Sequence, residues 1–165
     1  MSNPVIKIIL EDGREINAEL YPEIAPLSVA NFLKNVESNY YEGVVFHRVI
    51  DRFMIQTGGY KIEDNTLTDL PETKAIKGEF ASNGFEQNTL KHELGVISMA
   101  RTGVKDSATS QFFICSATST HLDGEYAAFG KTTDDESNKV VLKLSAVQTY
   151  APHYSFQNFP CEVIE

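Results

Sequence analysis

Residues 46–57 have the sequence FHRVIDRFMIQT, and the fold prediction starts from this stretch. Short strands are predicted at about 44–50 and 53–57. In the second strand Met54 and Gln56 share a face, because successive side chains of a strand point to opposite sides. One side of this strand therefore offers an apolar group next to an amide group.

The later segment SQFFI, which begins at position 110, has the same combination. Alternation places Gln111 and Phe113 on one face. Phe112 and Ile114 then lie on the opposite face. Two strands that each present an apolar and an amide side chain suit an apolar ligand whose amide groups need hydrogen bonds. The alternative is that these are polar outer faces of ordinary strands, with Arg48 in a surface ion pair.

The chain is predicted to begin with a hairpin and a helix. Residues 5–10 are aliphatic, Asp12-Gly13 is a tight-turn dipeptide, and apolar residues alternate over 16–20. A helical face with i, i+3, i+4, i+7 and i+11 spacing follows, formed by Val29, Phe32, Leu33, Val36 and Tyr40. Pro26 suits the first turn of this helix, because its missing N–H is not needed there.

A second helix is predicted at about 134–147, with Thr133 and Glu136 as a capping box. Its apolar stripe consists of Val140, Val141, Leu144 and Val147. Further strands are predicted at about 95–100, 110–115, 126–131 and 159–164. Residues 58–93 form a long excursion punctuated by Gly and Asn. A loop this long in a compact domain is usually functional or an insertion. Many short strands with two helices predict a β barrel or sandwich.

The composition narrows the class of protein. A chain of 165 residues fits one domain. With 14 Lys+Arg against 23 Asp+Glu, its net charge of −9 argues against nucleic acid as a partner. The N-terminus has no basic region or apolar signal core, and no apolar run is long enough for a membrane span. Two cysteines are too few for a disulfide framework, so we expect a reducing cytoplasm.

Common catalytic machinery is missing from the sequence. It contains no Gly-rich phosphate loop, no His-Glu-X-X-His, no Cys-X-X-Cys and no Gly-X-Ser-X-Gly. Cys115 lies in an apolar strand pattern and is expected to be a buried small hydrophobe. No metal site is expected, because the histidines are scattered without ligand spacing: His47, His92, His121 and His153.

Taken together, the motifs resemble the cyclophilin family of peptidyl-prolyl isomerases. They occur in the family order: FHRVI at 46–50, FMIQ at 53–56, SMAR at 98–101, SQFFI at 110–114 and FG at 129–130. The MART and SATS segments, at 99–102 and 107–110, are similar to bacterial cytoplasmic members. The resemblance implies a mainly β fold over residues 1–165 as a single domain, with a closed eight-stranded antiparallel barrel capped by two α-helices.

The resemblance also implies the site. Arg48 matches the catalytic residue, while His47 beside it is expected to be structural. The remaining matches to substrate-binding positions are Phe53, Met54, Gln56, Ala100, Arg101, Gln111, Phe113, His121, Leu122 and Tyr126. Within this set the proline pocket would consist of Phe53, Met54, Phe113 and Leu122.

Three positions depart from the eukaryotic pattern. His121 stands where that pattern has Trp, Tyr126 where it has His, and Arg101 where it has Asn. The His121 side chain is shorter than that of Trp, so the affinity for cyclosporin is expected to be weakened. The ring and hydroxyl of Tyr126 are expected to preserve closure of the pocket. The excursion 58–93 is expected to form the wall of a neighbouring pocket and to set preference for residues before the proline.

The resemblance predicts an enzyme that accelerates rotation about X-Pro bonds without covalent chemistry and without a cofactor. Its partners would be proline-containing peptides and unfolded or flexible segments, and it would act as a monomer. Two alternatives remain open. One is a module that binds proline peptides with incidental turnover, and the other is a different β barrel that holds a small apolar ligand.

Overall fold

The computed structural model describes residues 2–64 and 66–147, and the backbone of the strands at 158–159 and 161–164. Its helices are α1 (Pro26–Glu37) and α2 (Asp135–Ser145). Its strands are β1 (Val5–Ile9), β2 (Glu15–Leu20), β3 (Val44–Val45), β4 (Arg48–Ile50), β5 (Met54–Thr57), β6 (Tyr60–Glu63), β7 (Thr66–Asp69), β8 (Val96–Met99), β9 (Phe112–Cys115), β10 (Ala128–Thr132), β11 (Asn158–Phe159) and β12 (Cys161–Ile164).

The first two strands form the predicted hairpin. They pair antiparallel with Ile8 opposite Ile16. Gly13 has φ 91° in the turn between them, a left-handed conformation that glycine adopts without a Cβ clash. Because the aliphatic residues alternate, Ile6, Ile8 and Ile16 are all buried on one side.

Most strands belong to one antiparallel sheet in the order β12-β1-β2-β10-β8-β9-β5-β4. A smaller sheet has the order β11-β3-β6-β7. The predicted class, mainly β with two helices, is confirmed, and the main sheet has eight strands. The predicted closure of the barrel was wrong, because the single strand predicted at 44–50 is divided into two strands, with Phe46 and His47 between them. Its first part, β3, joins the smaller sheet, and β4 ends the larger one.

The main core lies on the inner face of the larger sheet. Phe32 of α1 contacts three aromatic rings there, with centroids 5.4 Å from Tyr41, 5.0 Å from Phe112 and 5.4 Å from Phe129. Edge and tilted contacts of this kind stabilise more than apolar burial alone. Phe112, Ile114 and Phe129 belong to this core, and alternation had placed Phe112 and Ile114 together on the face opposite Gln111 and Phe113.

A second apolar cluster lies on the other face of β5 and β9. It consists of Met54, Phe113, Cys115 and Leu122, all buried. Met54 pairs with Cys115, and Ile55 on the inner face pairs with Ile114. Both faces of these two strands are therefore covered, and the outer face supplies the floor of the site described below.

The first turn of α1 is capped from a distant part of the chain. The helix begins at Pro26 as predicted, but Ala25 before it provides no side-chain cap. The buried carboxylate of Glu79 accepts hydrogen bonds from the N–H of Leu27 at 3.0 Å and of Ser28 at 2.6 Å, and from the Ser28 hydroxyl at 2.7 Å. A carboxylate at this end satisfies free N–H groups and interacts favourably with the helix dipole.

The second helix begins at Asp135, close to the prediction, but its cap is a different residue. The side chain of Asp134 accepts the N–H of Ser137 at 2.7 Å, because Asp134 has the extended backbone of an N-cap residue. Thr133 instead lies within 3.4 Å of the Asn17 carbonyl oxygen. The predicted Thr133–Glu136 capping box was therefore wrong, and the N-cap lies one residue later, at Asp134.

The excursion 58–93 contains more regular structure than its composition predicted. The hairpin of β6 and β7 lies at its start, and a short 3-10 turn spans Ala81–Asn83. Asn88 ties its end to the barrel by donating to the carbonyl groups of Glu79 and Ala128. No helix in the described part of the chain is long and apolar enough to cross a membrane.

Replacing Glu79 with alanine should destabilise the protein. The Glu79→Ala variant leaves two N–H groups and a hydroxyl without their acceptor in a buried place. We expect a loss of about 2–4 kcal/mol in the free energy of unfolding, from the cost of unsatisfied donors and the lost helix-terminus charge. Urea denaturation at neutral pH measures this loss as a lower midpoint with an unchanged slope.

The exposed Glu72 of the same excursion is the matched control. Glu72→Ala should change the free energy of unfolding by less than about 0.5 kcal/mol, as exposed substitutions usually do. Equal destabilisation by the two substitutions would show that the Glu79 cap contributes nothing special.

Candidate active site

Three adjacent strands bring four of the predicted site residues together, Arg48, Met54, Gln56 and Phe113. Arg48 of β4 pairs with Gln56 of β5, and Gln56 pairs with Phe113 of β9. A cavity of about 140 Å³ opens over these strands. It is lined by Arg48, Phe53, Met54, Gln56, Ala100, Arg101, Phe113, Leu122 and Tyr126.

A chain of polar side chains crosses the rim of this cavity. The Arg48 Nη1 donates to Gln56 Oε1 at 3.2 Å, and Gln56 Nε2 donates to Gln111 Oε1 at 2.8 Å. Gly59 makes room for this arrangement, since a Cβ there would lie 2.6 Å from the Gln111 Nε2. The two predicted glutamines are therefore in direct contact, but Gln111 does not line this cavity and belongs to the lining of a second, adjacent one.

Arg48 is exposed and carries an uncompensated charge. Its hydrogen-bond partner is the neutral side-chain amide of Gln56. Among residues 2–64 and 66–147, no carboxylate lies within ion-pair distance of the Arg48 guanidinium. The surface ion pair considered from the sequence is thus not found in the described chain. The guanidinium keeps its full charge at the edge of an apolar cavity.

The floor of the cavity is apolar and its rim is aromatic. Phe113 packs edge-on against Tyr126 with ring centroids 5.8 Å apart. Phe53 lies next to His121, with centroids 5.6 Å apart. His121 does not line the cavity itself but contacts a residue that does.

Arg101 is held between two aromatic rings. Its guanidinium carbon lies 4.8 Å from the ring centroid of Phe80 and 4.5 Å from that of Tyr126. Neighbouring Ala100 uses its N–H to donate to the Gln111 carbonyl at 3.0 Å. That N–H is therefore not free for a ligand, although Ala100 lines the cavity.

A hydrogen-bonded trio behind Phe113, with His92 and Ser98 buried and Asp123 partly exposed, was missed from the sequence. His92 Nδ1 lies 3.0 Å from Asp123 Oδ1, and His92 Nε2 lies 2.9 Å from Ser98 Oγ. The His92 ring stacks on Phe113 at 6.1 Å. Only alternation along β8 pointed here, since it places Ser98 on the same face as Ala100. All three groups are engaged with one another, so the trio supports the floor of the cavity.

The titratable groups around the cavity are not poised for acid–base or nucleophilic chemistry. Burial and the neighbouring Arg48 charge lower the pKa of His47 to about 4, so its ring is neutral near pH 7. Burial also lowers the pKa of His92, despite the carboxylate of Asp123. Burial raises the pKa of the Cys115 thiol to about 12, which agrees with its predicted role as a small hydrophobe. The side chain of Cys161, the other cysteine of the chain, lies outside the described residues.

A second cavity of about 220 Å³ adjoins the first. It is lined by Gln56, Ala100, Arg101, Thr102, Ser107, Thr109 and Gln111. The expectation that the excursion 58–93 forms this wall was wrong, because the lining comes from the loop after β8. The excursion supports that loop instead, since Lys105 Nζ donates to the Ser82 carbonyl at 2.7 Å.

The described residues contain no group of His, Cys, Asp and Glu side chains that could hold a metal ion. A model of the family described as "Cyclophilin type peptidyl-prolyl cis-trans isomerase/CLD" matches residues 5–160. The chain belongs to this family. The recognition of a cyclophilin and of the isomerase class from sequence is therefore confirmed.

Two bacterial peptidyl-prolyl cis-trans isomerases are similar to the chain. It is 40% identical over 171 residues to a peptidyl-prolyl cis-trans isomerase of Acinetobacter baylyi, covering 99% of this chain and 85% of the relative. It is 45% identical over 125 residues to peptidyl-prolyl cis-trans isomerase B of Bacillus subtilis, covering 76% and 80%.

Solved cyclophilins share the fold. A cyclophilin type isomerase of Cryptosporidium parvum superposes with a TM-score of 0.76 at 25% identity, over 99% of this chain and 98% of that one. A second structure of that protein, in the presence of the dipeptide Ala-Pro, has a TM-score of 0.74 at 24% identity, over 98% and 99% of the two chains.

Acidification should weaken the fold between pH 7 and 5. The pKa of His47 is about 4 when folded and about 6.5 when unfolded. In this range the unfolded chain takes up a proton that the folded chain does not, so stability is lost as the pH falls. We expect His47 to contribute about 1–2 kcal/mol to this loss. Urea denaturation at a series of pH values measures it.

The His47→Gln variant should show a flatter dependence on pH over the same range. His92 acts in the same direction, so part of the slope should remain in this variant. Ending the series at pH 5 keeps the lowered carboxyl pKa values of Asp106, Asp123 and Asp134 out of the result. An unchanged slope in His47→Gln would rule out the assigned role of this imidazole.

Proposed function

We propose that the first cavity is the site at which this cyclophilin rotates X-Pro peptide bonds, with Arg48 as the catalytic residue. One observation carries the proposal. The Arg48 guanidinium has no carboxylate partner in the described chain and stands beside an apolar floor that includes Met54 and Phe113. An uncompensated donor next to an apolar pocket suits a substrate that is partly apolar ring and partly amide.

The barrier to be lowered comes from amide resonance. Rotation about a peptide bond costs roughly 18–20 kcal/mol, and X-Pro bonds exchange between nearly balanced isomers in tens of seconds or longer. Twisting the bond breaks the resonance and returns a lone pair to the proline nitrogen. A donor directed at that nitrogen binds the twisted state better than either planar state, which is the requirement for catalysis.

Arginine fits this task because it cannot give up its proton and its donors form a rigid fork. In our proposal Gln56 keeps the guanidinium in place through the 3.2 Å contact. The cavity volume of about 140 Å³ suits one small ring, held by Phe53, Met54, Phe113 and Leu122. Gln111, which lines the adjoining second cavity, would hold the substrate backbone there. No bond to the substrate forms or breaks, so no cofactor is needed.

The proposed partners are proline-containing peptides and unfolded or flexible protein segments. The open position of Arg48 at the protein surface favours chains that reach the cavity from solvent. We further propose that the protein acts on them as a monomer in the cytoplasm, in keeping with its low cysteine content. The alternative of a binding module differs in one respect, since it predicts capture of such peptides with little or no turnover.

Removing the guanidinium should abolish most of the activity. We expect Arg48→Ala to lower kcat/KM for a short X-Pro peptide by about 100-fold or more, the typical effect of losing one donor aimed at the transition state. The loss should fall on kcat rather than on peptide affinity. Exchange NMR on the peptide measures the rate without a coupled protease.

Arg52→Asn is the matched control. Arg52 is exposed, lines neither cavity, and has φ 60°, a conformation that Asn tolerates. It should retain nearly full activity. A folded Arg48→Ala variant with normal turnover would refute the role of Arg48. Peptide binding without any turnover by the wild type would favour the binding module.

Cyclosporin should bind weakly, because His121 offers less apolar surface than the Trp of the eukaryotic pattern. The His121→Trp variant should bind about tenfold more tightly, from the added aromatic burial next to Phe53. Calorimetric titration measures both affinities. Leu142→Trp, which adds the same ring on the exposed face of α2, is the control. Equal affinity of wild type and His121→Trp would contradict the explanation.

A further inference from the structure

The second cavity contains one charged side chain. Of the residues that line it, only Arg101 is ionised near pH 7, and the others present hydroxyl, amide or methyl groups. Arg101 also lines the first cavity. A peptide whose proline ring occupies the first cavity would therefore place a nearby side chain close to this guanidinium, since an extended chain advances about 3.3 Å per residue.

The charge of Arg101 is not neutralised by the described protein. Its guanidinium donates to the Glu125 carbonyl at 2.6 and 3.2 Å and to the Thr102 carbonyl at 2.9 Å. Its other contacts are the two aromatic faces. No carboxylate is within ion-pair distance in the ranges 2–64 and 66–147. Three of its five N–H donors are used, which leaves two for a ligand.

Two carboxylates on chain segments beside Arg101, one in its own loop and one on the residue whose carbonyl it contacts, are engaged by the excursion. Asp106 accepts the N–H of Gly78 at 2.9 Å and the amide of Asn83 at 2.8 Å. The side chain of Glu125 accepts the Ser82 hydroxyl at 2.9 Å. The excursion thus holds two acidic groups that would otherwise be candidates to pair with Arg101. The result is a fixed cation in a polar cavity of an acidic protein.

We infer that this isomerase prefers X-Pro segments that carry a carboxylate side chain within the three residues before the proline, bound in the second cavity against Arg101. The inference rests on the proposed function. A carboxylate would accept the two remaining guanidinium N–H groups, a charge-assisted pair that is stronger than a neutral hydrogen bond. A lysine at the same position would face a like charge.

The net charge of −9 opposes this preference at long range. Salt separates the two effects, because charges more than about 8 Å apart are largely screened at 0.15 M ionic strength, whereas a contact inside the cavity is screened much less. Measurements belong at that ionic strength. The preference should then reflect the local contact with Arg101.

The test uses a set of alanine-rich peptides with one proline. Glu, Gln or Lys is placed in turn one, two or three residues before the proline, and kcat/KM is measured by exchange NMR. We expect Glu to exceed Gln by about three- to fivefold at one position, the size of a partly exposed ion pair, with Lys below Gln. Equal values for Glu, Gln and Lys at all three positions would overturn the inference.

Two variants assign the preference to its residue. In Arg101→Gln the Glu-to-Gln ratio should fall to about one, whereas a purely structural role would lower kcat/KM for every peptide and leave the ratio unchanged. Arg14→Gln removes the same charge from the β1–β2 turn, outside both cavities, and should keep the wild-type ratio. A ratio that survives in Arg101→Gln would overturn the inference. Failure of the wild type to isomerise any peptide would instead defeat the proposed function.

Discussion

The antiparallel pairing of β5 with β9 is the constraint on which the site depends. Its register places Ile55 opposite Ile114 on the inner face and Gln56 opposite Phe113 on the outer face. Both faces are covered by apolar groups, so a slip of one residue would move core side chains to the outside and pocket side chains to the inside. The stability of the barrel and the geometry of the cavity are therefore set by the same ladder. The same pairing therefore fixes the outer-face side chains that line the cavity.

In the proposed function the site acts through fixed charge rather than through titration. The pKa of His47 is lowered to about 4, which makes its ring a weak base, and the pKa of Cys115 is raised to about 12, which keeps its sulfur as a thiol. What remains are two guanidinium groups, Arg48 and Arg101, that no carboxylate in the described chain compensates. An arginine keeps its charge and a rigid fork of donors, which suits a contact with a polar ligand group. The two cations stand out in a chain whose net charge is −9.

Local rules made much of the fold and site predictable from sequence. Alternation separated Phe112 from Phe113, and the family motifs collected residues that the structure brings around one cavity. Features that depend on distant partners were not predictable. The barrel does not close as predicted because β3 pairs in the smaller sheet, which local spacing does not reveal. The contact of His92 with Asp123 likewise spans 31 positions. Even the cap of α2 depended on the backbone angles of a single residue, Asp134, which a spacing rule does not give.

The carboxylate that starts α1 has a consequence for how the chain is made. Glu79 follows Ser28 by 51 positions, so the helix is synthesised well before its cap. Until then its first N–H groups have water as their only acceptor, and short helices are marginal without tertiary contacts. Since Asn88 joins the same segment to β10, the helix, the excursion and the barrel become complete together. Nascent chains that end before Glu79 therefore lack the cap of α1 in their N-terminal half.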